Sequence, residues 1–162
     1  MHRNKKERKK RKTIIIQNRK LCRRYPFLIP HNRWTDKIAW EKGNKYCYPY
    51  SYTELDDMDK GWRKAFGIQM CEEIRSELIK FDFLKKYRIV QIKEKYGELR
   101  WYDGGIPIGS KVWDIIEKYS DISTHTCYVC GAPGKIINDN GWLVTMCSDC
   151  YKKFKEKNYG DD

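Results

Sequence analysis

Between residues 60 and 84 the apolar positions recur every three or four residues, while charged side chains fill the positions between them. This spacing places the apolar side chains on one face of an α-helix. Thr53, Asp56 and Asp57 come just before it, and such residues favour a helix amino terminus. We predict a helix over about 60–84 with one apolar stripe, made of Trp62, Phe66, Met70, Ile74, Leu78 and Phe81.

From residue 88 to residue 102 the apolar positions instead alternate with polar ones. Alternation is typical of strands that bury one face, and a Gly-containing dipeptide between two such runs favours a hairpin. We therefore predict a structural β-hairpin that turns at Tyr96-Gly97 and buries Val90, Ile92, Leu99 and Trp101.

A loop rich in Gly and Pro follows, and helical periodicity then returns. Ser110 stands where a helix cap is expected. The second predicted helix has a stripe formed by Val112, Ile115, Ile116, Tyr119 and Ile122.

Residues 25–52 carry eight aromatic side chains and three prolines without a regular period. We predict an extended arm whose rings lie on the core. Trp and Tyr are common anchors at protein interfaces. The candidates for partner contacts are Trp34, Trp40 and Tyr48.

Positive charge is concentrated at the start of the chain. Of 162 residues with a formal charge of +12, the first 24 contain twelve Lys or Arg and one acid, and the rest is nearly neutral. So dense a block repels itself and attracts phosphates, so we predict a mobile basic tail that contacts nucleic acid. Residues 13–16 are β-branched and favour a short strand or an anchoring clip. The predicted phosphate contacts are Arg3, Lys5, Lys6, Arg8, Lys9, Lys10, Arg11, Lys12, Arg19, Lys20, Arg23 and Arg24.

Two C-x-x-C pairs lie sixteen residues apart near the end of the chain. This spacing is typical of a structural zinc ion held by four thiolates, with no coordination position open to substrate. A hairpin around Asn140-Gly141 and a helix over 151–157 predict a treble-clef finger, with a zinc ribbon as the alternative. The predicted ligands are Cys127, Cys130, Cys147 and Cys150.

Three further cysteines remain. Cys71 follows Met70 in the first predicted helix, so we expect it to be a small buried side chain. Cys22 and Cys47 with His31 are weak candidates for a second metal site, because their spacing matches no regular motif.

The chain resembles a family of small zinc-finger proteins encoded by bacteriophages and prophages. The resemblance rests on Gly61-Trp62, on 91–102 (QIKEKYGELRWY), on 126–134 (TCYVCGAPG) and on 141–150 (GWLVTMCSDC). It covers roughly residues 52–150 and implies the same four cysteine ligands. Some members end the site with His where this chain has Cys150, and the basic tail is not part of the pattern. The family brings no established activity; it implies a phage gene expressed in a bacterial cytoplasm.

Catalytic motifs are weak. His125 precedes the first cysteine pair, but the finger offers no second histidine for a nuclease metal. Glu94 and Glu98 flank the hairpin turn and suit cross-strand pairing with neighbouring cations. No phosphate-binding Gly loop is found, and no apolar run reaches the length of a membrane span. We predict a protein that is not an enzyme.

The sequence predicts an α+β fold: a basic tail (1–24), an aromatic arm (25–52), a helix–β-hairpin–helix core (53–124), a zinc finger (125–157) and a short carboxy-terminal tail (158–162). Its charge and aromatic residues favour an accessory protein that docks on a host or phage nucleoprotein complex, such as a defence or transcription machine, and modulates it. The alternative is a simple DNA- or RNA-binding protein, and a nuclease is the least favoured. Further candidates for stacking on bases are Arg100, Trp101, Tyr102 and Trp142, against the alternative that most rings form the core.

Overall fold

The computed structural model describes residues 5–40 and 48–159, and side chains as far as residue 157. The fold mixes helices with two small antiparallel hairpins. Two short 3-10 helices, Pro26–Leu28 and Glu54–Asp57, lie between the larger elements. The α-helices are α1 (Lys5–Arg24), α2 (Lys60–Trp62), α3 (Ile68–Lys80), α4 (Val112–Ser123) and α5 (Ser148–Tyr159), and the strands are β1 (Ile89–Lys95), β2 (Glu98–Asp103), β3 (Lys135–Asp139) and β4 (Trp142–Met146).

The basic segment is a helix, so the prediction of a mobile tail is wrong from Lys5 onward. Lys, Arg and Gln are good helix formers, and α1 also includes the β-branched residues 13–16, for which a strand or clip was predicted. The carboxy-terminal half of α1 packs on the core through Cys22 and Asn18, whose amide donates to the Tyr50 carbonyl over 3.0 Å. This packing supplies the tertiary stabilisation that the local sequence does not reveal.

The first long helical segment consists of α2, a π-helical turn over Arg63–Gly67 and α3. Its predicted stripe is buried from Trp62 to Leu78. In an α-helix, side chains four residues apart differ in direction by about 40° around the helix axis. The wider π turn reduces this difference between Trp62 and Phe66. The segment ends at Lys80, earlier than predicted, because Asp82 takes a positive φ of 51°.

The hairpin formed by β1 and β2 turns at Tyr96-Gly97 and buries Leu99 and Trp101, as predicted. On β1 one detail of the prediction is wrong, since Ile89 is buried and Val90 only partly so. The register shifts between Ile89 and Gln91, and a bulge of this kind moves the preceding side chains to the other face.

Helix α4 begins at Val112, and its cap residue is Lys111, so the prediction of Ser110 as the cap is wrong. The Ser110 hydroxyl is buried and finds no hydrogen-bond partner among the described residues. The Lys111 amide donates to the Glu77 carboxylate on α3 over 2.9 Å. A contact between two helices therefore starts α4, in place of a local side-chain cap.

The aromatic segment contributes Tyr25, Phe27, Leu28 and Trp40 to the core, whereas its residues 32–38 are exposed. Phe27 and Leu28 are fully buried, and the Phe27 ring meets that of Tyr87 edge-on at 5.5 Å between centroids. The core that they join also contains the stripe of α2 and α3, the inner side of the first hairpin, and Val112 and Tyr119 of α4.

Candidate metal centre and basic helix

Four thiols converge where the last hairpin meets its flanking segments. Cys127 and Cys130 lie in the turn between α4 and β3, Cys147 directly follows β4, and Cys150 lies in the first turn of α5. All four sulfur atoms lie within 4.8 Å of one another. The Cys130 and Cys147 sulfurs are 3.7 Å apart, close to the edge of about 3.8 Å expected for a tetrahedron with Zn–S bonds of about 2.3 Å.

Backbone hydrogen bonds shape the first cysteine pair into a tight turn. The Gly131 amide donates to the Cys127 carbonyl over 2.8 Å, and Gly131 has a φ of 82° that an L side chain rarely adopts. The Tyr128 amide donates to the Thr145 carbonyl of β4 over 3.0 Å. These bonds hold the first pair of sulfurs against the strand that ends at the second pair.

The second hairpin has the predicted form. Asn140 and Gly141 have φ values of 53° and 91°, the positive pair that a type I′ turn requires. The helix predicted after the second cysteine pair is α5, which begins at Ser148. At its first turn the Cys150 amide lies 3.5 Å from the Cys147 sulfur, a geometry in which an N–H supports a thiolate.

The pKa values of the Cys127 and Cys150 thiols differ in the direction in which the protein shifts them. Burial works against the Cys127 thiolate, but backbone N–H groups at Cys147, Cys130 and Val129 outweigh it and lower the Cys127 pKa to about 7. At Cys150 burial, hydrogen bonds to the neighbouring thiols and the negative charge of Cys127 all raise the pKa. The raised pKa of Cys150 opposes full ionisation of the cluster, and a divalent metal bound by the four sulfurs would supply the positive charge that favours four thiolates.

The donor set fits zinc. Four cysteine sulfurs in a near-tetrahedral group are the usual ligands of a structural zinc ion, and they leave no position for a reactive water. The predicted ligand residues are thus together in space, and they can hold one metal ion.

Helix α2 supports the metal centre from outside. The Gly61 amide donates to the Tyr128 carbonyl over 2.7 Å, and the Trp62 indole donates to the Thr126 carbonyl over 2.7 Å. A Cβ at Gly61 would lie 2.6 Å from the Tyr128 carbonyl carbon and oxygen. Helix periodicity identified Trp62 as a core residue but gave no sign that its neighbour must be Gly.

The two hairpins also touch beside the metal centre. The Thr145 hydroxyl donates to the Gly97 carbonyl, which joins β4 to the turn of the first hairpin. A Cβ at Gly97 would lie 3.5 Å from the Ile136 side chain. Nothing in the sequence pattern links residue 97 with residue 145, because the glycine at position 97 predicts a turn but not the residue that the turn contacts.

The predicted phosphate contacts lie on α1, except Arg3, which is outside the described residues. From Lys5 to Lys10 every side chain is exposed, and Lys12, Arg19, Lys20, Arg23 and Arg24 are exposed as well. Arg11 is partly covered, with its guanidinium 3.6 Å from the Tyr48 ring centroid. Arg24 is paired with Glu72 at 2.7 Å. Most of the predicted set is thus available to a polyanion.

The three predicted partner contacts have different environments. Trp34 is 93% exposed, whereas Trp40 is only 7% exposed and packs on the Tyr50 ring at 4.8 Å. The prediction for Trp40 is therefore wrong, because its ring is already covered by the protein's own residues. Tyr48 is about half-exposed and lies against Arg11.

The Trp34 side chain is held out by an ordered loop, residues 31–38. The Asn32 side chain accepts hydrogen bonds from the Trp34 and Thr35 amides, at 2.9 and 3.1 Å. His31 and Ile38 close the loop with a β-bridge, and Asp36 accepts a hydrogen bond from Arg88 at 3.1 Å. These contacts constrain the loop backbone from which the Trp34 side chain projects.

The structure gives little support to a second metal site or to a catalytic role for His125. Within the part of the chain that the structure describes, the four-cysteine cluster is the one group of potential ligands close enough to share an ion. Cys71 and Cys22 are buried, and Cys47 of the weak second site lies outside the described residues. His125 is exposed, with its Nδ1 2.8 Å from the Thr124 hydroxyl. The described helices include none that is long and apolar enough to cross a membrane.

Comparison with known proteins found no matching family model, no matching curated protein and no matching solved structure. Function therefore has to be argued from the site itself.

Proposed function

We propose that this chain is a non-catalytic zinc-binding accessory protein, of the phage type that its motifs resemble, which docks on a host or phage nucleoprotein complex and modulates it. The observation that carries the proposal is α1, a twenty-residue helix with eleven Lys or Arg side chains and one acid, Glu7. The rest of the chain is almost neutral. The net positive charge of the chain is therefore concentrated in one element.

The charge distribution on α1 suits phosphate contacts. Seven cations fall between Lys5 and Lys12, so they surround the helix and do not form a single stripe. Each phosphate that such cations neutralise releases counterions, which makes binding strong at low salt and largely independent of sequence. The packed carboxy-terminal half of α1 fixes the direction in which this charge projects.

The Trp34 loop supports docking on protein. Truncating an exposed tryptophan at an interface often costs more than truncating its neighbours, and a loop that is already ordered loses less entropy on binding. The proposed arrangement places α1 on phosphate and Trp34 in a pocket of the protein component. The zinc finger, proposed as a treble clef, has a structural role as support for the core.

The phosphate contact is tested by salt titration of binding to duplex DNA. The test variant carries Lys9→Gln, Lys10→Gln and Lys12→Gln, and the control removes the same charge at exposed lysines outside α1, with Lys64→Gln, Lys85→Gln and Lys86→Gln. The α1 variant should reduce the slope of log affinity against log salt by about 2 to 3, at about 0.9 per phosphate contact. An equal change in the control variant would show that net charge, and not α1, determines binding.

Docking is tested by affinity purification from bacterial cells with and without nuclease. The proposal expects a protein partner that survives nuclease and is lost with Trp34→Ala but kept with Trp113→Ala, a second exposed tryptophan. Partners that all disappear with nuclease would favour the alternative, a simple DNA- or RNA-binding protein.

A further inference from the structure

The first hairpin has a second face, opposite the one buried in the core. The register pairs Gln91 with Tyr102, Lys93 with Arg100, and Lys95 with Glu98, and directly opposed residues share a face of the hairpin. We call these six side chains, with Tyr96 at the turn, the outer hairpin face. Ile92, Leu99 and Trp101 point the other way and are buried.

The outer hairpin face combines exposed rings with cations. Tyr102 is 43% exposed, and the Lys93 ammonium lies 5.2 Å from its ring centroid. Tyr96 is 63% exposed, and the Lys95 ammonium lies 5.1 Å from its ring centroid. A lysine ammonium therefore lies over one face of each ring.

Tyr96 occupies a backbone conformation that disfavours tyrosine. Its φ is 58° and that of Gly97 is 78°, the pair expected of a type I′ turn, where Asn, Asp and Gly are preferred. The exposed ring gains little packing that would offset this strain. Local strain of this kind is found at binding sites, where a side chain is held in place for an external partner.

The acids near this face are already engaged. Glu98 accepts from Arg100 over 2.7 Å and also from the Ser120 hydroxyl, and Glu94 accepts from the Gly97 amide over 2.5 Å. Neither Lys93 nor Lys95 forms an ion pair with a described residue. Over residues 93–102 three cations face two carboxylates, so the segment that carries the two rings has a net charge of +1.

We propose that the outer hairpin face binds single-stranded nucleic acid. Unpaired bases can stack on Tyr102 and Tyr96 when the flexible Lys93 and Lys95 side chains move from over the rings to the backbone phosphates. Bases inside a duplex are stacked on each other and cannot offer their faces to a ring, so the proposal selects single strands over duplexes. The inference deepens the proposed function by naming the kind of nucleic acid. It rests on one part of that function, namely that the partner contains nucleic acid.

The test measures binding of labelled single-stranded oligonucleotides, dT20 and rU20, and of a 20-base-pair duplex by fluorescence anisotropy. Tyr102→Ala should weaken binding to the single strands by about 5- to 140-fold, the range expected for loss of one stacked base. Tyr102→Phe retains the ring and should bind within twofold of the unaltered protein. Zinc content and melting temperature show whether each variant is folded.

Tyr96→Asn is the second variant, and it separates binding from folding. Asn suits the turn better than Tyr, so the melting temperature should hold or rise while single-strand affinity falls at least fivefold. Lys93→Gln with Lys95→Gln should lower the single-strand salt slope by about 1.4, at about 0.7 per contact. The charge-matched control, Lys64→Gln with Lys85→Gln, should leave that slope unchanged.

Three results would overturn the inference: single-strand affinity within twofold for both Tyr102→Ala and Tyr96→Asn, equal losses on duplex and single strands, or an equal slope change in the control pair. Comparing dT20 with rU20 decides between DNA and RNA as the source of the strand. The α1 variant keeps the two proposals separable. If the α1 variant changes the duplex salt slope while the hairpin variants change nothing, the proposed function holds and this inference fails. If the hairpin variants weaken single-strand binding while the α1 variant changes nothing, this inference holds and the role proposed for α1 fails.

Discussion

At the scale of single residues, Gly61 connects the metal centre to the core. Its backbone lies against the Cys127–Tyr128 backbone, and a Cβ on Gly131 would come within 2.6 Å of the Gly61 carbonyl oxygen. Both glycines allow two backbone segments to approach more closely than side chains would permit.

We expect Gly61→Ala to destabilise the protein. Ala is normally favoured over Gly inside a helix by about 1 kcal/mol, but here the clash with the Tyr128 carbonyl reverses the sign. The loss should be about 1 to 3 kcal/mol in the free energy of unfolding, as for other overpacked sites. Chemical denaturation measures it.

Gly67→Ala is the matched control, because its nearest neighbours are the flexible side chains of Met58 at 3.3 Å and Arg63 at 3.5 Å. This variant should be neutral or slightly stabilising. A Gly61→Ala protein as stable as Gly67→Ala would show that the close approach is unimportant.

Trp101 illustrates a buried aromatic residue that also satisfies a polar partner. Its indole donates to the buried Tyr87 hydroxyl over 3.0 Å. Burial of that hydroxyl raises the Tyr87 pKa well above its ordinary value. Removing the indole leaves both a cavity and an unsatisfied hydroxyl.

Trp101→Ala should therefore lower the free energy of unfolding by about 3 to 5 kcal/mol. Trp113→Ala, at a position that is 58% exposed, should change it by less than about 1 kcal/mol. Thermal and urea unfolding of the two variants provide the comparison. Similar stability for both would mean that Trp101 is not a core residue.

At the scale of elements, α1 is stabilised at one end and strained by charge at the other. Its carboxy-terminal end is held by Arg24 with Glu72, and Arg75 donates to the Arg24 carbonyl over 3.0 Å. Its amino-terminal turns place cations near the positive end of the helix dipole, and like charges recur four residues apart.

Salt should therefore stabilise the first half of α1 even as it weakens phosphate binding. Screening relieves like-charge pairs that cost about 0.2 to 0.5 kcal/mol each, so amides over 9–16 should exchange several-fold more slowly at high salt. Hydrogen exchange with mass spectrometry measures this, with α4 as the internal control. Exchange over 9–16 that is fast and independent of salt would contradict a helix there in solution.

At the scale of the whole molecule, we expect the metal centre and the core to unfold as one cooperative unit. Hydrogen bonds connect α2 with the first cysteine pair, and the Thr145 hydroxyl connects β4 with the turn of the first hairpin. Structural zinc contributes on the order of 10 kcal/mol in small fingers, so its loss should affect the core as well.

We expect one zinc ion per chain by elemental analysis, and a large fall in melting temperature when a chelator removes it. Cys147→Ser should lose the metal and show the same fall, because three thiolates cannot close the site. Cys71→Ala, which removes a buried thiol outside the cluster, should retain one zinc per chain. A metal-free protein with an unchanged melting temperature would show that the core does not depend on the ion.

Periodicity and spacing alone determined the stripe on α3, the inner face of the first hairpin, the type I′ turn at Asn140-Gly141 and the four cysteines that converge. These features are local, because each follows from which residues stand within a few positions of one another. Tertiary packing determined which of these local structural preferences the folded chain adopts. Packing of Cys22 and Asn18 turned a self-repelling segment into α1, and the core covered Trp40 but left Trp34 exposed.

The contacts at Gly61 and between Thr145 and Gly97 join residues far apart in the chain, and no local pattern records them. Alternation identified the inner face of the first hairpin, but the contacts of Lys93 with Tyr102 and of Lys95 with Tyr96 on the outer hairpin face depend on strand register and side-chain conformation. Burial is a property of the assembled chain, so long-range packing determines which rings and cations remain available to bind.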